Sequence, residues 1–215
     1  MPVKNIRPLV INAAYLITGI LIIVGIMIIL QSILGFVQIH TTLPGWQIIR
    51  PPHEVSTLII DNDTVWTGGK DGVILINRST GARISTPWTM PTFGYVRQIL
   101  QDRTGRIWVG HDGGLACFQN DSWQVIAPAP HIPFSRVLSI AELQDGTIVI
   151  GTDTDIRAFT GDSWTSLLGN NAPPIASADV MLADNGGNLW VGCGSPTRGG
   201  LYQLNGTSWS SFSQR

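Results

Sequence analysis

Four short phrases, recurring about every 41 residues, constrain this chain more than anything else in it. They read DTVWTG at 63–68, GRIWVG at 105–110, GTIVIG at 146–151 and GNLWVG at 187–192, and Gly68, Gly110, Gly151 and Gly192 close them. After each comes a short Asp- or Gly-rich turn and another apolar run, beginning at Val73, Leu115, Ile156 and Leu201. A period of this length marks stacked repeats, each unable to bury its own apolar face without a neighbour. Such arrays more often build a binding surface than an active site.

The second repeat shows the unit most clearly. Strand-like runs at 96–101, 106–110, 115–119 and 123–126 are separated by Asp102-Arg103-Thr104-Gly105, His111-Asp112-Gly113-Gly114 and Asn120-Asp121-Ser122. Short runs between Gly, Asp and Asn clusters are hairpin signals, and four strands per period are one propeller blade. The expected fold is therefore all-β: a β-propeller-like array of four four-stranded blades, at about 55–88, 95–126, 136–168 and 176–212. Trp66, Trp108 and Trp190 recur on the second strand, where the third repeat has Val149. They are expected to fill the core between blades. Trp46-Gln47-Ile48-Ile49 matches Trp123-Gln124-Val125-Ile126, so 46–50 reads as an extra outer strand ahead of the first blade.

One transmembrane α-helix is expected to precede the array. From Pro8 to Ile49 there is no Lys, Arg, Asp or Glu, and 9–39 is mostly Ile, Leu, Val, Gly and Met. That run is too long for the 7–15-residue apolar region of a cleaved signal peptide and long enough to cross a bilayer. Lys4 and Arg7 precede it, and the next positive charge is Arg50, which places residues 1–8 in the cytoplasm. After a linker at 40–45, residues 46–215 then lie outside the cell membrane. Gln31, Gly35 and Gln38 share one helical face and read as a contact with other membrane helices. Cys117 and Cys193, in an oxidising space, are read as two small core side chains, with pairing left open.

A formal net charge of −1, with scattered Lys and Arg, carries no footprint for nucleic acid. No spacing of His, Cys, Asp or Glu calls for a metal, and no cofactor is expected. Candidate binding residues instead collect on the turns between second and third strands and on the connections between blades. These are His53, Lys70, Asp71, Phe93, His111, Asp112, His131, Phe134, Asp153, Asp155 and Arg198. Mixed charge and aromatic rings on loops carried by a rigid scaffold suit a partner or small-molecule ligand.

The string from Asp102 to Gly110, continuing through Asp112-Gly113-Gly114-Leu115, resembles the two-component regulator propeller repeat, and Asp184 to Leu201 resembles it with a longer turn. That resemblance implies an extracytoplasmic, ligand-sensing propeller of the kind placed ahead of a membrane span and a histidine kinase. Those sensors have rings of seven blades and an output domain, whereas this chain has four repeats and a short cytoplasmic tail. The reading reached from the sequence is therefore a non-enzymatic accessory or scaffold subunit, bound to other membrane-protein subunits and compatible with a homo-oligomer. A ligand sensor working through a partner is the alternative. A streptogramin-lyase-like enzyme using His111 or His131 is a third, minor reading.

Overall fold

The computed structural model describes residues 21–29, 47–50, 52–127, 136–161, 163–169, 172–195 and 199–212. The chain divides into two compact units, 1–48 and 49–215. In the first, residues 21–29 are helical. Among the described residues no helix is long and apolar enough to cross a membrane. The rest of the expected span, with Gln31, Gly35 and Gln38, lies outside the described residues.

The second unit is built of antiparallel sheets. The first holds β1 (Thr57–Asp61), β2 (Thr64–Gly69) and β3 (Gly72–Asn77) in that order. The second holds β4 (Val96–Gln101), β5 (Ile107–His111), β6 (Gly114–Gln119) and β7 (Ser122–Ile126). The third holds β8 (Val137–Glu142), β9 (Ile148–Thr152), β10 (Ile156–Phe159) and β11 (Trp164–Ser166). The fourth holds β12 (Val180–Ala183), β13 (Leu189–Cys193), β14 (Gly200–Asn205) and β15 (Ser208–Ser211). Each is a simple meander, so every repeat closes its own ladder. First strands pack in series, β1 on β4, β4 on β8 and β8 on β12.

Two expectations about strands need correction. Residues 47–50 form no strand, so the extra strand at 46–50 is not seen where it is described. The first sheet has three strands instead of four; beyond β3 only an isolated Ile76–Arg83 bridge remains. There Asn77 Oδ1 accepts from the Ser79 and Thr80 amides at 3.1 and 2.9 Å, turning the chain back. Pro87 and Pro91 then follow, neither with an N–H to give to a ladder. Trp88 stacks on Trp66 at 6.1 Å and an interplanar angle of 7°, so an aromatic insertion stands in for the missing outer strand.

Three apolar cores lie between successive sheets. Trp66, Val73 and Leu75 meet Val96, Ile99, Ile107 and Val109. Trp108, Leu115 and Cys117 meet Val137, Ile140, Ile148 and Ile150. Val149, Ile156 and Ala158 meet Met181, Leu189, Val191 and Tyr202. The closing glycines of the first three phrases let the next sheet come close: a Cβ on Gly110 would sit 2.7 Å from Cγ1 of Val137. Cys117 is buried and Cys193 half-buried, and both are free thiols. Burial pushes the Cys117 pKa up to about 11, consistent with an inert core thiol.

A second device explains the rest of the phrase. Gly105, Gly146 and Gly187 hold φ of 84°, 87° and 83° in the turn between first and second strands, a conformation that costs a side-chain-bearing residue. In the second sheet this turn folds around Asp102. Its Oδ1 accepts from the Thr104 and Arg106 amides at 2.9 and 3.0 Å, and its Oδ2 from Trp108 Nε1 at 2.8 Å. Asp184 repeats the arrangement, accepting from Gly186 N, Asn188 N and, at 2.8 Å, Trp190 Nε1.

Candidate functional site

In the first two sheets the chain entering the first strand lies beside the turn joining the second to the third. At this edge the side chains hand over from one repeat to the next. His53 N donates to Asp71 Oδ2 at 2.8 Å, and His53 Nδ1 lies 3.1 Å from the same oxygen. Led by the His53 amide bond, these contacts hold the Asp71 carboxyl below its usual range. One residue on, Glu54 Oε1 accepts the hydroxyl of Tyr95 from the second repeat. That bond, above all, raises the Tyr95 pKa.

Arg97 lies over the Tyr95 ring, with Cζ 4.5 Å from its centroid. It also binds Asp112 in bidentate fashion, Nε to Oδ1 at 2.8 Å and Nη2 to Oδ2 at 2.9 Å. The pairing of β4 with β5 slips between Val96 and Gln98, which leaves Arg97 as the extra residue of a β-bulge. Bulges re-aim a side chain out of the alternating pattern. Arg136 of the third repeat adds a second cation to Asp112, Nε to Oδ1 at 3.3 Å. With Arg97 as the main cause, the Asp112 carboxyl is held below its usual range. Glu54, Tyr95, Arg97, Asp112 and Arg136 thus form one polar ladder across three repeats.

Asp71 and Lys70 also line an open cleft of about 810 Å³ between β3 and the 83–93 connection, with Arg83, Thr86, Met90 and Phe93 around it. Lys70, Asp71, Phe93 and Asp112 therefore gather on the ladder or the cleft, and His53 is tied to the cleft through Asp71. His111 does not point into either as a free base. It is buried, its Nδ1 accepts from Gly94 N at 3.1 Å and Gly113 N at 3.0 Å, and Phe93 packs edge-on at 5.2 Å. Burial lowers its pKa, against the pull of Asp112. Its role is to shape the turn.

Asp155 is also occupied locally, accepting from Ser166 Oγ at 2.7 Å, Ile156 N at 2.8 Å and Arg157 Nε at 3.0 Å. Asp153 is exposed in the same turn. His131, Phe134 and Arg198 lie outside the described residues. Among the described residues no group of three His, Cys, Asp or Glu side chains is placed to hold a metal.

Glu54, Tyr95, Arg97 and Arg136 were not among the sequence candidates. A signal was present, because Glu54, Tyr95 and Arg136 stand one repeat apart, at steps of 41 residues. The turns drew attention instead because their Gly and Asp content is conspicuous.

Residues 92–113, which carry Tyr95, Arg97 and Asp112, match the two component regulator propeller family. The chain therefore carries a repeat of that family. Solved structures share the fold. An extracellular domain assigned to the hybrid two component system BT4673 of B. thetaiotaomicron superposes with a TM-score of 0.62 at 17% identity, over 79% of this chain and 23% of that one. The corresponding domain of BT3049 from the same organism gives 0.54 at 22% identity, over 67% and 20%. An inactive H270A virginiamycin B lyase from Staphylococcus aureus, with quinupristin, gives 0.60 at 14% identity, over 79% and 59%. This chain spans less than a quarter of the length of those two sensor-system domains. No curated protein matches its sequence.

Proposed function

From a chain that carries a two-component regulator propeller repeat, we propose a non-enzymatic recognition module of the sensor type. Its binding edge is the ladder from Glu54 to Arg136 together with the adjoining cleft, and its output passes through a partner. The observation that carries this reading is the ladder itself. Five ionisable side chains from three repeats are held in one connected network at a loop edge. A ligand that displaces one rung therefore acts on how successive blades are joined, and differential contact of this kind is what a sensor needs.

The repeat match and the sensor-system neighbours favour sensing over the accessory-subunit reading. The lyase neighbour supports the fold only, and the buried, doubly hydrogen-bonded Nδ1 of His111 does not suit a general base. Placement outside a cell membrane with the N-terminus inside is part of the same proposal. Residues 21–29 are all apolar or glycine, and most of these side chains are half-exposed or more, which suits lipid better than water.

The test is thermal-shift screening of the full chain in detergent against neutral sugars and carboxylated metabolites. A ligand that binds only the native state raises the melting temperature. The expected hit stabilises the wild type and loses at least tenfold in affinity in Arg97→Ala, while the unliganded melt moves little because Arg97 and Asp112 are both partly exposed. A stabiliser indifferent to Arg97→Ala would move the site elsewhere. Protease added outside intact cells should digest 46–215; protection of that region would reverse the topology.

A further inference from the structure

The three junctions between sheets use the same positions, one period apart, and the two ends of the array present the same positions uncovered. Val96, Val137 and Ala178, at steps of 41 residues, sit over the closing glycines Gly68, Gly110 and Gly151 of the preceding sheets. All three are 0% exposed, but Val55, one period earlier, is 44% exposed. Ile99, Ile140 and Met181 are likewise buried, and their counterpart Leu58 is 56% exposed. In front of β1 an apolar recess of about 280 Å³ is lined by Ile49, Pro52, Val55, Leu58, Val65 and Ile76.

The far end is the matching half. Gly68, Gly110 and Gly151 each face a residue of the next sheet, while among the described residues Gly192 meets only Val180 of its own. Val73, Leu115 and Ile156, paired across from those glycines, are buried; Leu201, paired across from Gly192, is exposed. Ile59, Leu100 and Ala141 belong to the inter-sheet cores, but their counterpart Leu182 is 67% exposed.

We propose that the open face of the fourth sheet takes the open face of the first sheet of a second copy, making a fourth junction of the kind the chain makes three times within itself. This goes beyond the sensing proposal and does not depend on it. A second copy is the occupant because the three internal junctions supply the pattern: Val55 stands where the other repeats seat a residue on a closing glycine, and Gly192 is a closing glycine with no such residue among the described ones. The contact is head-to-tail, so two copies cover both open ends when it forms twice. It is also weaker than the internal junctions. In those, Thr57 Oγ1 accepts from Ile99 N at 3.1 Å, Gln98 brackets Ile140, and Ser139 Oγ donates to Ala178 O at 2.6 Å. Val180 stands at the same position with no polar group to offer. The pairing should therefore reverse on dilution.

Sedimentation equilibrium of the full chain in detergent, across nanomolar to high micromolar concentration, tests this. The wild type should pass from monomer to dimer. Leu58→Asp and Leu182→Asp should each raise the dissociation constant at least tenfold. An equimolar mixture of the two should pair again, because each variant lends the other its intact face. Val125→Asp, on β7 away from both end faces and 65% exposed, should change nothing. Leu58→Gln and Leu182→Gln give the same test in milder form if an aspartate variant does not fold. A wild type that stays monomeric overturns the proposal. So does a dimer that survives both end-face substitutions, a mixture that fails to re-pair, or a Val125→Asp variant that dissociates like the others.

Discussion

The turns at the two edges of the sheets solve opposite problems. At the edge between first and second strands, Asp102 sits at 0% side-chain exposure and spends its acceptor capacity within its own repeat, on Thr104, Arg106 and Trp108. At the other edge, Asp112 is partly exposed and ties two arginines, Arg136 from the following repeat among them. The first arrangement is self-sufficient and recurs at Asp184. The second is assembled from several repeats and does not recur among the described residues. An aspartate closed within one repeat holds the fold, whereas one shared between repeats makes a surface that a ligand can reorganise.

Breaking the closed edge should have the largest effect. Asp102→Ala leaves the Trp108 indole N–H and two turn amides without their acceptor, and should cost about 3 kcal/mol in urea unfolding, since each buried unsatisfied donor costs on the order of 1–3 kcal/mol. An equal loss in Asp112→Ala would erase the contrast between the edges.

Acid sharpens the same comparison. Burial alone would raise the Asp102 carboxyl, but the donors from Trp108, Thr104 and Arg106 outweigh it and hold the group below its ordinary value. Asp184 is pulled down to about 2, chiefly by Asn188 and Trp190. A carboxyl with a depressed folded-state pKa contributes stability in full above its unfolded value of about 3.9, and that stability is lost as pH falls through the folded value. The melting temperature should therefore fall progressively below about pH 4. An Asp102→Asn chain should melt lower at neutral pH and show a shallower acid decline; an unchanged slope would remove Asp102 as a source.

The smallest effect is expected in the first sheet. Its turn is one residue shorter, with five positions from Asp61 to Trp66 against six from Asp102 to Trp108. Asp61 instead pairs directly with Thr64, and the buried Trp66 Nε1 has no acceptor among the described residues. Trp66→Phe should cost about 1–2 kcal/mol, for the lost ring contacts and the small cavity left behind, since no hydrogen bond is broken. In contrast, Trp108→Phe should cost more, because it also removes a donor from the buried Asp102 carboxylate and leaves Oδ2 to Arg106 alone. Chemical denaturation of the pair measures the difference directly.

Much of this was legible in the residues. The hairpin rhythm, the recurring glycines and the apolar alternation all act over a few positions, so strands in the second, third and fourth repeats could be read one at a time. The failures fall where a residue's role depends on a distant partner. Trp46 to Ile49 looks like the outer strand at Trp123 to Ile126, yet 47–50 pairs with nothing in a ladder. His111 looks like a surface base, yet its ring is enclosed by Phe93, Gly94 and Gly113. Arg97 looks like one more polar strand residue until the bulge turns it onto Asp112.

By itself, then, the sequence determined what the second, third and fourth repeats fold into, because strand alternation and turn glycines at positive φ are local physics repeated at a set spacing. Only the tertiary structure decided what the repeats do to one another. Val55 and Val96 occupy the same place in the pattern, but one is covered by a neighbouring sheet and the other is left open. Burial depends on which surfaces meet, and no single repeat encodes its neighbour.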